Sequence, residues 1–213
     1  MQLELIGGIT QLKRYCQNAT FLVTLNLNSY SSFLYVIVVS YLTKRYELEG
    51  NMEDIIKQAI DLRKAAKYQE SRALLATLLN DEDYAAKAHL QIAWSYDNEG
   101  KEEEAIGHYL SSLSGTLSSV ERFDALFGLA STYRSLGNYS ESLVYFEKTI
   151  SEYPESIEVQ PFYAMCLYNL ERHKEATSLL LRVLVSTTNS AAIKEYQRAI
   201  LLYAEDLDKK WQS

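Results

Sequence analysis

The chain has 213 residues, is 47% hydrophobic and 23% charged, and carries a net charge of −7 at pH 7. These figures fit one folded domain or one short repeat array, and exclude a disordered or collagen-like chain. The negative balance argues against nucleic acid or an anionic membrane surface as the main partner. The chain has two prolines and eight glycines, and so few breakers favour helices throughout. Cys16 and Cys166 lie far apart in no C-x-x-C or metal spacing, which is expected of two free thiols in a reducing compartment.

Residues 1–51 form an N-terminal extension of different character, without Asp and rich in Ser, Thr, Asn, Val and Tyr. Their most apolar run, Phe33 to Leu42, is short against the roughly 20 residues of a membrane helix. Extending it back to Thr20 adds length but admits Asn26, Asn28, Ser29, Ser31 and Ser32, which make insertion marginal. Lys13-Arg14 and Lys44-Arg45 flank both sides, so positive charge sets no orientation. No small-x-small site follows the run, against a secretory signal.

Three readings of residues 1–51 stand. The leading one is a mis-assigned start, with translation beginning at Met52. The composition changes at Asn51/Met52, and Glu49-Gly50-Asn51 back-translates to a purine-rich run, as ahead of a bacterial start codon. The second is a membrane-associated segment, with residues 20–42 as anchor. The third is a folded part of the protein.

From Met52 the apolar period is helical, and the chain aligns with itself. Ala66-Lys67-Tyr68-Gln69-Glu70-Ser71, Gly100-Lys101-Glu102-Glu103-Glu104-Ala105, Gly137-Asn138-Tyr139-Ser140-Glu141-Ser142 and Glu171-Arg172-His173-Lys174-Glu175-Ala176 share one register. The steps between their first residues are 34, 37 and 34. The longer step is a three-residue insertion in the Ser114–Ser119 loop. The segments 52–85, 86–119, 123–156 and 157–190 are four repeats, with Met52 at position one of the first.

The repeats resemble the tetratricopeptide repeat family. Its pattern reads best in the third: Leu126, Leu129, Ala130, Tyr133, Gly137, Tyr139, Ser142, Phe146, Thr149 and Pro154. The second gives His89, Ile92, Ala93, Tyr96, Gly100, Ala105, Tyr109 and Ser112. The fourth gives Ala164, Leu167, Ala176, Leu180 and Val183. The first gives Ile55, Ala59, Leu62, Tyr68, Ser71, Leu75 and Leu78. Closing Pro stands only in the third repeat, and the turn Gly is replaced by Ala66 in the first and Glu171 in the fourth. The resemblance implies an all-α, right-handed superhelical solenoid of four helix hairpins plus a C-terminal capping helix in residues 191–213.

The physics of the pattern is legible. Helices approach closely where small side chains cross, hence Ala59, Ala93, Ala130 and Ala164. Gly at the turn adopts a left-handed conformation at no steric cost. Asn51-x-x-Asp54 and Ser118-x-x-Glu121 offer helix starts, the second as a capping box. Pro161 is tolerated only in a first turn, so the fourth repeat's first helix is expected to begin near Glu158. Ile193, Tyr196, Ile200, Tyr203 and Leu207 are expected to share the covered face of a single last helix.

No catalytic, cofactor or metal motif is present: no G-x-G-x-x-G, P-loop, H-E-x-x-H or G-x-S-x-G. His89, His108 and His173 share no ligand spacing, and His89 stands at a core position. Glu102-Glu103-Glu104 is the solvated start of a second helix, where the dipole favours negative charge. Several of the 17 tyrosines fall on repeat core positions, and packing explains them better than an aromatic binding platform. The expectation is a non-enzyme without cofactors.

In the resembling family, ligands lie in the concave groove lined by first helices. Carried over residue by residue, that groove is Glu53, Ile56, Ile60, Arg63 and Lys64; Lys87, Leu90, Trp94, Asp97 and Asn98; Asp124, Phe127, Ser131, Arg134 and Ser135; and Glu158, Pro161, Met165, Tyr168 and Asn169. An apolar, aromatic stripe beside Arg63, Lys64 and Arg134 suits an amphipathic helix or an extended segment with a few acidic groups. The family's C-terminal-carboxylate grip needs a Lys and an Asn where this chain has Ile56 and Ile60. The resemblance implies a cytoplasmic adaptor or scaffold for a protein or peptide. Its alternatives are a membrane-anchored version and a peptide sensor that changes shape on binding.

Overall fold

The computed structural model describes residues 31–210. The chain divides into two units, residues 1–49 and 50–213. All regular elements among the described residues are helices. The first, α1, is Ser31–Lys64. Asn51-x-x-Asp54 starts no helix of its own, because α1 runs unbroken through it and a capping residue needs non-helical backbone. No helix among the described residues is long and apolar enough to cross a membrane. Residues 20–30 of the suggested anchor, with Lys13, Arg14 and Cys16, lie outside the described residues.

The second unit is a series of hairpins. The end of α1 pairs with α2 (Tyr68–Leu75), which a 3₁₀ turn at Ala76–Leu78 extends. Next come α3 (Ala85–Glu99) with α4 (Glu102–Ser114), α5 (Ser119–Ser135) with α6 (Tyr139–Glu152), and α7 (Val159–Asn169) with α8 (His173–Thr187). Helices pack on their chain neighbours, and first helices also touch across repeats, α3 on α5 and α5 on α7. This one-dimensional stacking is an all-α solenoid.

Each hairpin turns in the same way. Ala66, Gly100, Gly137 and Glu171 have φ of 59°, 76°, 80° and 60°. At each turn the next residue's N–H reaches back over the last helical turn: Lys67 to the Leu62 carbonyl, Lys101 to Tyr96, Asn138 to Tyr133 and Arg172 to Leu167, at 2.9–3.0 Å. These bonds satisfy carbonyls that would otherwise be orphaned. At Ala66 and Glu171 a side chain occupies a left-handed position, at a cost of about 1–2 kcal/mol. Glycine there removes that strain but loosens the unfolded chain by about 0.4–1 kcal/mol. Glu171→Gly is therefore expected to stabilise the fold by about 0.5–1 kcal/mol, read as a higher urea midpoint. A lower midpoint would refute the strain argument.

Small residues sit at the crossings as the spacing predicts. Ala59, Ala93, Ala130 and Ala164 are all buried. In the first and third hairpins a buried serine on the second helix also clips the crossing. Ser71 Oγ donates to the Ala59 carbonyl at 2.7 Å and Ser142 Oγ to the Ala130 carbonyl at 2.8 Å. At α5, Ser118 Oγ accepts from the Glu121 N–H while Glu121 Oε2 accepts from the Ser118 N–H, the expected capping box. Helix α7 starts at Val159, so Pro161 falls in its first turn.

The C-terminal segment departs from expectation. The single helix is two: α9 (Ala191–Glu195) and α10 (Gln197–Glu205). The break at Tyr196, with φ −96° and ψ 6°, gives α10 a different covered face. Ala204 is buried and Ile200 and Leu201 half-buried, while Tyr196 and Tyr203 are exposed and Leu207 lies past the helix end. Ser178 Oγ on α8 donates to the Ala204 carbonyl, and Lys174 pairs with Asp208.

Candidate protein-binding face

The positions assigned to the groove fall on α1, α3, α5 and α7, and the structure sorts them by access. Leu90 is 1% exposed and Ile56 is also buried, so both serve the core and present no contact surface. The reason is the stacking: Ile56 packs in the apolar cluster with Ala59, Leu75 and Ile92, and Leu90 in the one with Ala93, Tyr109 and Leu129. Ile60, Trp94 and Phe127 are half-buried against these clusters and the next. Lys64 and Asn98 are exposed, and Arg63, Arg134 and Asn169 are half-buried. Met165 is 38% exposed and Tyr168 62%.

Several of these residues meet across repeats. The Arg63 guanidinium lies 5.2 Å from the centre of the Trp94 ring and donates to Gln91 Oε1 at 3.3 Å. Burial lowers the Arg63 pKa, countered by the fields of Tyr109 and Tyr68. Phe127 stands edge-on to Phe162 at 5.0 Å and also nears Phe123 and Phe146. Tyr168 lies 4.7 Å from the His173 ring. The side chains of Arg63 and Arg134 each bury an Nε with no acceptor, and Asn169 buries an Oδ1 with no donor.

Phe162 holds no groove position in the repeat register, yet it is 39% exposed. With Met165 and Tyr168 it forms an i, i+3, i+6 stripe along α7, a spacing visible in the sequence. Asp97 was assigned to the groove but is consumed inside the array. Tyr109 Oη donates to its Oδ2 at 2.6 Å, and the Thr132 hydroxyl lies 3.0 Å from the same oxygen. Burial raises the Asp97 pKa against these two hydrogen bonds, and raises that of Tyr109 as well.

Among the described residues no group of three or more His, Cys, Asp or Glu could hold a metal ion. Cys166 is a buried free thiol. His89 and His108, unrelated by spacing, meet between α3 and α4 with their Nδ1 atoms 2.9 Å apart and ring centres 5.1 Å apart. The rings thus meet nearly head-on, as in a hydrogen bond, where one imidazole donates N–H and the other accepts. Burial lowers both pKa values, and His89 and Arg72 lower His108 further.

The pair gives stability a pH dependence of definite sign. The unfolded chain takes up protons first, below about pH 6.5. The contribution of the pair is therefore complete above that pH, and is lost as pH falls through the lower folded values. Urea titrations from neutral to mildly acidic pH are expected to show a falling midpoint for the wild type. The fall should be smaller in a His89→Gln/His108→Gln variant. Equal slopes for the two would contradict the pairing.

The tetratrico peptide repeat family model matches residues 86–207, taking in the second to fourth hairpins and the C-terminal helices. A crystal structure of the nearly identical TPR-like repeats of a putative kinesin light chain from Podosopora anserina is similar, with a TM-score of 0.56 and 17% identity. The match covers 72% of this chain and 85% of that one. A single-residue variant of that protein gives 0.55 and 18%, covering 74% and 88%. At such identity these likenesses show the fold alone. No curated protein matches the chain. The family match over more than half of the sequence, on hairpins that repeat one turn and one crossing, establishes that the chain belongs to the tetratrico peptide repeat family.

Proposed function

We propose that this protein is a non-catalytic, cytoplasmic adaptor or scaffold that holds a peptide or helix of a partner protein along the face of its first helices. Repeats of this family generally mediate protein–protein contacts. The observation that carries the reading is the stripe of Phe162, Met165 and Tyr168, open to solvent on α7 and joined to Phe127 by ring contact. Exposed apolar side chains at helical spacing suit the i, i+3, i+7 anchors of a bound helix or the pockets of an extended chain. The buried free thiol of Cys166 fits a reducing compartment. We place the binding unit at residues 52–190.

Site-specific photo-crosslinking tests the face used. A photoreactive residue at Met165 should capture a partner, and one at the exposed Val144 on the second helix α6 should not. The partner segment so found is then titrated against Met165→Asp and Val144→Asp. Met165→Asp is expected to weaken binding by about 2 kcal/mol, the scale of an interface anchor, and Val144→Asp to leave it unchanged. Capture at Val144 with Met165→Asp silent would move the interface to the second helices.

A further inference from the structure

The end of a stacked array leaves one helix without a neighbour on its outer side, and a last repeat normally turns a polar face there. Here α10 covers α8 with Ala204, Ile200 and Leu201, and the Ala204 carbonyl accepts from Ser178 Oγ. At 100° per residue the opposite side carries Ala199 and Leu202 along its centre. Arg198 and Glu205 lie along one edge, and Tyr196 and Tyr203 along the other. This outer side is far from polar: Leu202 is 41% exposed, Tyr203 51% and Tyr196 61%. Arg198 and Glu205 are exposed as well, and Ala199 is half-buried. Among the described residues neither Arg198 nor Glu205 is in an ion pair.

We propose that a second copy of this chain covers this side, with α10 lying antiparallel on its own counterpart across a twofold axis. The ground is that the outer side of α10 is complementary to itself.

A twofold axis set across two antiparallel helices reverses the chain direction and keeps each edge opposite the same edge of the partner. The charged edge then brings Arg198 to the partner's Glu205, and Glu205 to the partner's Arg198. The tyrosine edge brings Tyr196 to the partner's Tyr203. At the centre Leu202 meets the partner's Ala199, a long side chain over a short one, which lets the helices approach closely. The midpoints of these three pairs all lie within one residue, or about 1.5 Å of rise, of the point between Ile200 and Leu201. One axis therefore satisfies all three.

Arg198 and Glu205 do not pair within one chain, because their places on the helix are about 10 Å apart along its axis. An unrelated partner requires no match between a helix and its own reversal, so the symmetry of the pattern favours a second copy. One pair of short helices makes a small interface, and monomer and dimer are expected to exchange at micromolar concentration. A dimer carries two first-helix faces, and so holds a partner with two docking segments more tightly than one copy does. The pairing itself is independent of what those faces bind.

The test is sedimentation equilibrium of the full chain from about 1 to about 300 µM. Wild type, Leu202→Asp, Arg198→Glu, Glu205→Arg, Val144→Asp and Met165→Asp are compared, with circular dichroism melts to establish that each is folded. The wild type should follow a monomer–dimer equilibrium. The dissociation constant should rise about tenfold or more in Leu202→Asp, and about tenfold in Arg198→Glu and in Glu205→Arg, where like charges meet twice. Val144→Asp on α6 and Met165→Asp on α7 should leave it unchanged. An equimolar mixture of Arg198→Glu and Glu205→Arg should recover dimer, since each chain then meets opposite charge at both contacts. Recovery in the mixture distinguishes direct pairing from a general loss of structure.

A monomer at every concentration would overturn the proposal. So would a dimer indifferent to Leu202→Asp, a dimer lost in Met165→Asp, or a mixture that associates no better than its two components.

Discussion

Replacing Phe146 by alanine is expected to cost about 3–5 kcal/mol, the range for emptying a buried aromatic site. Phe146 is 0% exposed and reaches across a repeat boundary. Its ring lies 6.2 Å from Phe127 in its own hairpin and 6.3 Å from Tyr163 on α7 in the next. It packs with Ala130, Val159 and Cys166. Its removal therefore empties the interface between the third and fourth hairpins as well as the space within the third. Native domains are stable by only about 5–15 kcal/mol, and a stacked array holds each repeat through its neighbours. The C-terminal hairpin should thus melt before the rest. Urea unfolding followed by tryptophan emission and by far-ultraviolet dichroism is expected to shift to lower concentration and to separate between the two signals. An unshifted midpoint would mean that Phe146 does not bridge the hairpins.

The second large effect is expected at Ala130. It is 0% exposed, so a longer side chain must push the crossing helices apart, and the Ser142 hydroxyl binds its carbonyl at 2.8 Å. Ala130→Leu should cost about 1–3 kcal/mol from overpacking, and more if the forced separation also breaks the serine clip. Ala191→Leu, at an exposed start of α9, should change stability by less than about 0.5 kcal/mol. Comparing urea midpoints for the two separates crossing geometry from side-chain size. Equal midpoints would place Ala130 away from the crossing.

Local chemistry made most of the fold readable. Turns at Ala66, Gly100, Gly137 and Glu171 follow from a register of 34, 37 and 34 residues, and that register held where the glycine was missing. Stacked hairpins impose the same chain reversal on whatever residue occupies the place. The capping box at Ser118 and the start of α7 are also local, since each depends on residues within one helical turn. Asn51 shows the limit of such signals. A capping residue only permits a start, and the helix residues ahead of it continue α1 through it.

The proposed face was less legible for a physical reason. Repeat position tells which side of a helix a residue occupies but not how near the next helix comes. Leu90 and Ile56 hold groove positions in the register and are buried by that approach. Asp97, at a groove position as well, is claimed by Tyr109 from its own hairpin and Thr132 from the next. Gly128 carried no signal in the repeat pattern, yet a Cβ there would lie 2.6 Å from Tyr109 Oη, so the packing of that tyrosine requires glycine.

By itself, then, the sequence determined the period, the turns, the small residues at the crossings and the family, because these depend on spacings within one hairpin. Only the tertiary structure decided which positions are open, that His89 meets His108, and that Tyr196 breaks the last helix. Openness depends on how closely one hairpin lies against the next, and the His89–His108 contact on how α3 and α4 pair within one hairpin; both are set by side chains far apart in the chain.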